Sequence, residues 1–245
     1  GRVNEDPLWY TVFRKWMLGM TAQWLGLSPR YAHSLAPLLV SREQGLHKST
    51  FCKILLPPEL NRYYTDSFSF TNIPQAERKL AEYGLISLDE FDRYSSRNQA
   101  DLKNLMQTTS LHLRRSYQLH TASLSRMASF IGTSNSRELL TDKTGSRRFY
   151  CVEVTDPIDT DTPLEYEQLY AQLLYLVSVA NEPYWPSREE KAAMEAHNEV
   201  FYKTPVEENL FREVFREVER GTAGALLLSA EEIFRRLRHH NPPAM

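Results

Sequence analysis

Lys48 and Ser49 follow the stretch Arg42-Glu43-Gln44-Gly45-Leu46-His47, and an apolar run, Leu35 to Val40, precedes it. Lys48 to Leu55 continues with a helical pattern that stops at Pro57-Pro58. The order is strand, glycine-bearing loop, Lys-Ser, helix. In that order backbone N–H groups converge on phosphate oxygens, and a lysine adds a point charge at the β- and γ-phosphates. The serine hydroxyl is placed to ligate Mg2+. Gln44, Gly45, His47, Lys48, Ser49 and Thr50 are the candidate nucleotide-binding residues, with Ser49 also a metal ligand. Measured against G-x-x-x-x-G-K-[ST], Arg42 stands at the first glycine position and His47 at the second. Alone, the loop also reads as an ordinary one-glycine loop with a chance Lys-Ser. His47 either contacts phosphate or fills a loop position that tolerates a side chain, and the second is expected. A side chain there needs a backbone angle that non-glycine residues seldom adopt.

Asp89-Glu90 ends the apolar run Leu85-Ile86-Ser87-Leu88, about 40 residues after Lys48. An acid pair at a strand end is commonly a solvated turn. At this spacing, Asp89 would bind a Mg2+-bound water and Glu90 would polarise the attacking water. Asn135 closes another apolar run, Ala128 to Gly132, and reads either as a water-orienting side chain or as a helix cap. Arg147 and Arg148 follow Lys143-Thr144-Gly145-Ser146. One of them would stabilise charge on a γ-phosphate, in cis or in a neighbouring subunit; the alternative is surface charge. Because Arg148 opens an alternating run, the two side chains are expected on opposite strand faces.

Five short apolar or alternating runs (35–40, 63–70, 85–88, 128–132 and 148–154) are the strand candidates. Helical spacing covers 7–25, where Trp9, Tyr10, Phe13, Trp16, Met17, Met20 and Trp24 recur at three- and four-residue intervals, and then 48–55, 74–83 and 98–108. Asp156-Pro157-Ile158-Asp159-Thr160-Asp161-Thr162-Pro163 reads as an acidic, Pro-bounded linker. Only helical patterns follow it, at 164–180, 187–202, 206–219 and 229–238. The expected organisation is an α/β domain over 1–155 and a helical appendage over 156–245.

The 245 residues, 42% hydrophobic and 24% charged, have the balance of a soluble globule. No apolar run approaches the ~20 residues of a membrane helix, so no membrane partner is expected. Two cysteines and a charged N-terminus suit a reducing cytoplasm rather than secretion. The first residue is Gly, and the chain reads as a piece of a longer protein. A formal charge of -2 confines any basic surface to local clusters. Such a cluster is 110–126, which holds Arg114, Arg115 and Arg126 and no acid. The His and Cys residues lack metal-ligand spacing, and no Gly-x-Ser-x-Gly elbow is present.

Gln-Gly-x-His-Lys-Ser-Thr-Phe, Leu-Asp-Glu-Phe-Asp, Phe-Ile-Gly-Thr-Ser-Asn and Leu-Thr-Asp-Lys-Thr-Gly-Ser-Arg-Arg-Phe, in that order, resemble the virulence-associated protein E family. The resemblance spans roughly residues 8–155. It implies a P-loop NTPase domain with a parallel five-stranded sheet sandwiched by helices, followed by a C-terminal all-α domain. Such domains occur in phage-like and mobile-element proteins, often fused to primase modules, and are similar to superfamily 3 helicases. Carried onto this chain, the resemblance implies ATP and Mg2+ at Gly45, Lys48, Ser49 and Asp89. It gives Glu90 and Asn135 to the water and an arginine finger to Arg147 or Arg148. Loops with His in place of glycine occur in the family. The 110–126 stretch falls where related helicases carry a DNA-contacting hairpin, so Arg114, Arg115 and Arg126 are expected on single-stranded DNA. A homo-oligomeric ring and a primase module in the full-length protein are the implied partners, and a bacterial or phage-derived protein of the cytoplasm the implied setting. Residues 228–238 resemble the opening of a winged-helix module. The expected activity is ATP hydrolysis coupled to work on DNA in replication or mobilisation of a genetic element. A degenerate loop that binds DNA or protein without hydrolysis is the alternative.

Overall fold

The computed structural model describes residue 6 and residues 8–27, 32–114, 121–142, 146–204, 206–216, 218–219 and 222–240, without the side chains of 112–114, 121–122, 206–209 and 240. By its internal packing the chain divides into 1–202 and 203–245.

In the first unit, α1 (Trp9–Trp24) precedes β1 (Ala36–Val40), α2 (Lys48–Ile54), β2 (Tyr64–Thr65), α3 (Ile73–Glu82), β3 (Leu85–Leu88) and α4 (Ser96–Leu105). A hairpin of β4 (Ser110–Arg114) and β5 (Thr121–Ser125) follows, then β6 (Ser129–Ser134), β7 (Phe149–Glu153), α5 (Tyr166–Ser178) and α6 (Arg188–Asn198). Five strands form one parallel sheet in the order β2-β3-β6-β1-β7. Strand side chains alternate between faces, and the two cores divide accordingly. Leu39, Ile131 and Val152 meet Trp16 and Met20 of α1, Cys52 of α2 and Leu173 of α5 on one face. Leu38, Val40, Phe130 and Cys151 meet Leu80 of α3 and Leu102 of α4 on the other. The continuous apolar runs of the sequence follow from this burial on both faces.

The α1 helix is fixed by its polar edges as well as its apolar face. Trp16 Nε1 donates to Phe130 O (2.9 Å), Trp24 Nε1 to Gly84 O (3.1 Å) and Gln23 Nε2 to Ala128 O (2.6 Å). Gly19 leaves room for the buried His33 ring, since a Cβ there would fall 2.2 Å from His33 Nδ1. Burial, with the nearby Arg126 charge second, pushes the His33 pKa from 6.5 down to about 3. The unfolded chain therefore binds the proton more readily. Stability from this group is complete above about pH 6.5 and is lost as pH falls toward 3. About 3 kcal/mol should be lost between pH 7 and pH 4. Urea unfolding of wild type and His33→Phe at both pH values checks this; the variant should show a smaller acid loss by about that amount.

Three expectations change. The 63–70 run supplies only the two-residue strand β2. Ser67 N–H donates to Thr65 Oγ1 (3.1 Å), a local turn that ends the pairing, and Phe68 and Phe70 turn edge-on to Phe130 and Tyr94. The boundary expected at 155/156 is not where the chain divides. Residues 156–202 pack on the sheet unit: Tyr170 stacks on Trp24, and Arg14 and Lys15 pair with Glu182 and Glu190. Asn198 accepts from Cys151 N–H (3.2 Å) and donates to Phe149 O (2.8 Å), occupying the open edge of β7. These ties join residues far apart in sequence, so composition does not reveal them. Arg148 lies in a short 3-10 turn, 146–148, before β7, so strand alternation does not apply to the arginine pair.

The second unit contains α7 (Val206–Val214) and α8 (Ala230–His240). Phe211 and Phe215 lie 5.1 Å apart, and Ser229 with Glu232 form reciprocal bonds at the start of α8. Among the described residues no helix is long and apolar enough to cross a membrane.

Candidate active site

β3, β6 and β1 are neighbours at the centre of the sheet and run parallel, so their C-terminal ends lie side by side. Chain leaving β1 forms the 41–47 loop, chain leaving β3 carries Asp89 and Glu90, and β6 ends at Thr133 and Ser134 with Asn135 directly after it. Crevices outside the carboxyl ends of parallel strands are where ligands of open α/β sheets bind. A hollow of about 320 Å³ there is lined by Gln44, Gly45, Leu46, His47, Lys48, Ser49, Thr50, Asp89, Glu90, Thr133 and Asn135. A larger hollow of about 760 Å³ between α1, α5 and the 57–60 turn is mostly apolar and brings no such set together.

Lys48 opens α2 and is only 8% exposed. Its Nζ donates to Ser41 Oγ (2.5 Å) and Asn135 Oδ1 (3.0 Å), both neutral oxygens. Burial lowers its pKa, and Asp89 and Asp92 pull it back up. A desolvated lysine facing neutral oxygens is suited to receive an anion. Ser49 Oγ donates to Asp89 Oδ1 (3.3 Å), and Thr133 Oγ1 donates to the same oxygen. Glu90 adopts a left-handed conformation (φ 51°, ψ 49°), and its carboxylate pairs with Arg93 at 2.6 Å. Left-handed non-glycine residues cluster at sites where surrounding structure holds them.

Asp92 is a member that spacing did not single out. It accepts from Ser134 Oγ (2.8 Å) and Asn135 N–H (3.2 Å), so it fixes the β6 end on which Asn135 sits. Ser41 and Thr133 join the site as well; short hydroxyl residues at strand ends give no signal in sequence until strands are aligned. Gly132 is explained by the same closeness, for a Cβ there would lie 2.9 Å from Leu88 O.

Gly45 has φ +79°, with nothing near its Cβ direction, and His47 has φ +59°. His47 thus holds the glycine-like angle. Its ring turns away from the loop, with Nδ1 3.2 Å from Ile158 O and 3.4 Å from Thr160 Oγ1.

Arg147 and Arg148 precede Phe149, which pairs with Ala36 at the start of β1, whereas the loop follows Val40 at its end. The whole strand, about 13 Å, separates them from the 41–47 loop. Of the two alternatives for an arginine, in cis or in a neighbouring subunit, that separation does not fit the first. They line a different hollow of about 420 Å³ with Lys191, Trp185 and Gln107. Arg114 ends β4 opposite Thr121, and Arg115 lies outside the described residues. Arg126 does not face DNA here. It is 2% exposed and donates to Leu105 O, Met106 O, His33 O and Gln23 Oε1. Its guanidinium ties the hairpin root to α4 and α1, a role invisible in a merely basic stretch of sequence.

Among solved structures, the apo C-terminal region of NrS-1 is similar with a TM-score of 0.48 and 16% identity, over 86% of this chain and 51% of that one. Its A form gives a TM-score of 0.47 and 15% identity over 86% and 51%. This chain spans about half the length of those structures. No curated protein matches it. The model of the virulence-associated protein E-like domain matches residues 2–203, and the chain belongs to that family.

Proposed function

We propose that this chain is a P-loop domain that binds Mg·ATP and hydrolyses it in work on DNA during replication or mobilisation of a genetic element. The observation that carries the reading is the convergence of Lys48, Ser49, Asp89 and Asn135 at adjacent strand ends, with Lys48 reaching Asn135 and Ser49 reaching Asp89. The residues suit the group. Among the described residues no three His, Cys, Asp or Glu cluster around a metal. A Ser–Asp pair is what Mg2+ uses when phosphates and waters supply its other ligands. Bound Mg·ATP would supply the phosphoanhydride that water cleaves. Lys48 and the loop N–H groups would hold phosphate, and Ser49 and Asp89 the metal. Glu90 would take the proton from water that Asn135 orients.

Two features extend the reading to partners. Arg114 is the last residue of β4, which pairs antiparallel with β5, and such a ribbon suits a DNA backbone. The arginine pair at the opposite end of the strands suits a finger acting on a neighbour's nucleotide in a ring. Mixing Arg147→Ala with Lys48→Ala chains should restore part of the ATPase that each lacks alone. No recovery in demonstrably mixed assemblies would remove the trans finger.

Steady-state ATP hydrolysis by the wild-type chain, with and without single-stranded DNA, tests the main reading. Turnover that DNA stimulates supports it. Mg·ATP binding without turnover under either condition would leave a degenerate binding domain.

A further inference from the structure

The acidic segment that the sequence suggests is a linker runs instead along the phosphate loop. Val154 N–H donates to Val40 O (2.7 Å), extending the β7–β1 pairing beyond the strands, and Ile158 N–H donates to Leu46 O (3.2 Å). His47 Nδ1 lies 3.2 Å from Ile158 O; a carbonyl only accepts, so Nδ1 carries the proton. The segment is stiff in itself, because Asp159 accepts from the Asp161 and Thr162 N–H groups (both 3.1 Å) and from Thr162 Oγ1 (2.6 Å). Beyond it, Tyr166 and Tyr170 donate their hydroxyls to Ile54 O (2.6 Å) and Leu55 O (2.7 Å), at the far end of α2. The loop and its helix are gripped at both ends by one continuous stretch of chain.

We propose that residues 154–162 are a clasp on the phosphate loop, that His47 is the positioning residue that closes it, and that clasp closure and nucleotide binding favour one another. The inference rests on the nucleotide reading of the loop. His47 connects the loop to Lys48, the first residue of α2, through a left-handed conformation that is unfavourable for a residue with a Cβ. Its ring bond to Ile158, and the bond from Ile158 to the preceding carbonyl, hold that conformation from two sides. Glycine would adopt the angle freely but would have no side chain with which to close the clasp. A loop held in its binding geometry loses less freedom when a ligand arrives, and by linkage the ligand must then tighten the clasp.

Amide hydrogen exchange and Mg·ATP titration on the full chain test this. Without nucleotide, His47→Gly should speed exchange at 158–162 about fivefold, the effect of losing one solvent-accessible hydrogen bond. Mg·ATP should slow exchange there in wild type and not in His47→Gly, whose affinity should fall roughly 3- to 10-fold. His47→Asn tolerates the left-handed angle and places an amide nitrogen near the position of Nδ1, so it should recover both effects. Exchange at 158–162 unchanged in His47→Gly would overturn the clasp. Faster exchange with equal or tighter Mg·ATP binding would overturn the coupling while the nucleotide reading stands. Absence of Mg·ATP binding by wild type would defeat the nucleotide reading itself, and the coupling with it; the ligand-free exchange result tells the two failures apart.

Discussion

Glu90→Gln is expected to lower kcat for ATP about 100- to 10 000-fold while Mg·ATP still binds, the span attributed to a positioned general base. The substitution keeps shape and removes the proton acceptor. It also breaks the pair with Arg93, but that pair lies at the surface and contributes little. Lys48→Ala is the matching loss on the binding side. It removes the desolvated cation that bridges Ser41 and Asn135, and affinity for Mg·ATP should fall on the order of 100-fold or more. Equilibrium binding and single-turnover hydrolysis separate the two variants. Equal losses of binding in both would mean that Glu90 shapes the site rather than acting on water. Unchanged binding in Lys48→Ala would remove the phosphate loop from the proposal.

Arg126→Ala is expected to destabilise the folded chain by roughly 3–5 kcal/mol. Burial pushes the Arg126 pKa from 12.5 down to about 9, which still leaves it charged at neutral pH. The charge is met by carbonyl oxygens of Leu105, Met106 and His33 and by Gln23 Oε1. Removing the guanidinium relieves its desolvation but strands several buried acceptors at about 1–3 kcal/mol each, and the second effect wins. Arg126→Met keeps most of the stem and should recover only the packing share of the loss. Urea unfolding measures both. DNA binding gives a separate check: Arg126→Met should leave the salt dependence of affinity alone. Arg114→Ala with Arg115→Ala should flatten the slope by about 0.7 for each DNA phosphate that the variant no longer neutralises. A flatter slope in Arg126→Met would place that side chain on DNA after all.

The sequence by itself determined the elements that local pattern controls. Apolar runs such as Leu85–Leu88 are buried on both faces of the sheet and therefore read as strands. The α1 pattern is legible because its aromatic face repeats at helical spacing. Lys48-Ser49 and Asp89-Glu90 are legible because each pair follows an apolar run, and parallel strand order then brings both to the C-terminal end of the sheet. Tertiary structure alone decided the rest. Whether Arg126 meets DNA or the interior depends on carbonyls contributed by Leu105, Met106 and His33, positions that sequence spacing does not connect. That Arg147 and Arg148 lie at the opposite end of the strands from Lys48 follows from strand direction and register. Asp156 to Pro163 has the composition of a linker, yet Leu46 and His47 bind it more than 100 residues from their own place in the chain. Local propensity reports what a segment can form; which distant donor meets which acceptor is settled only when the chain is packed.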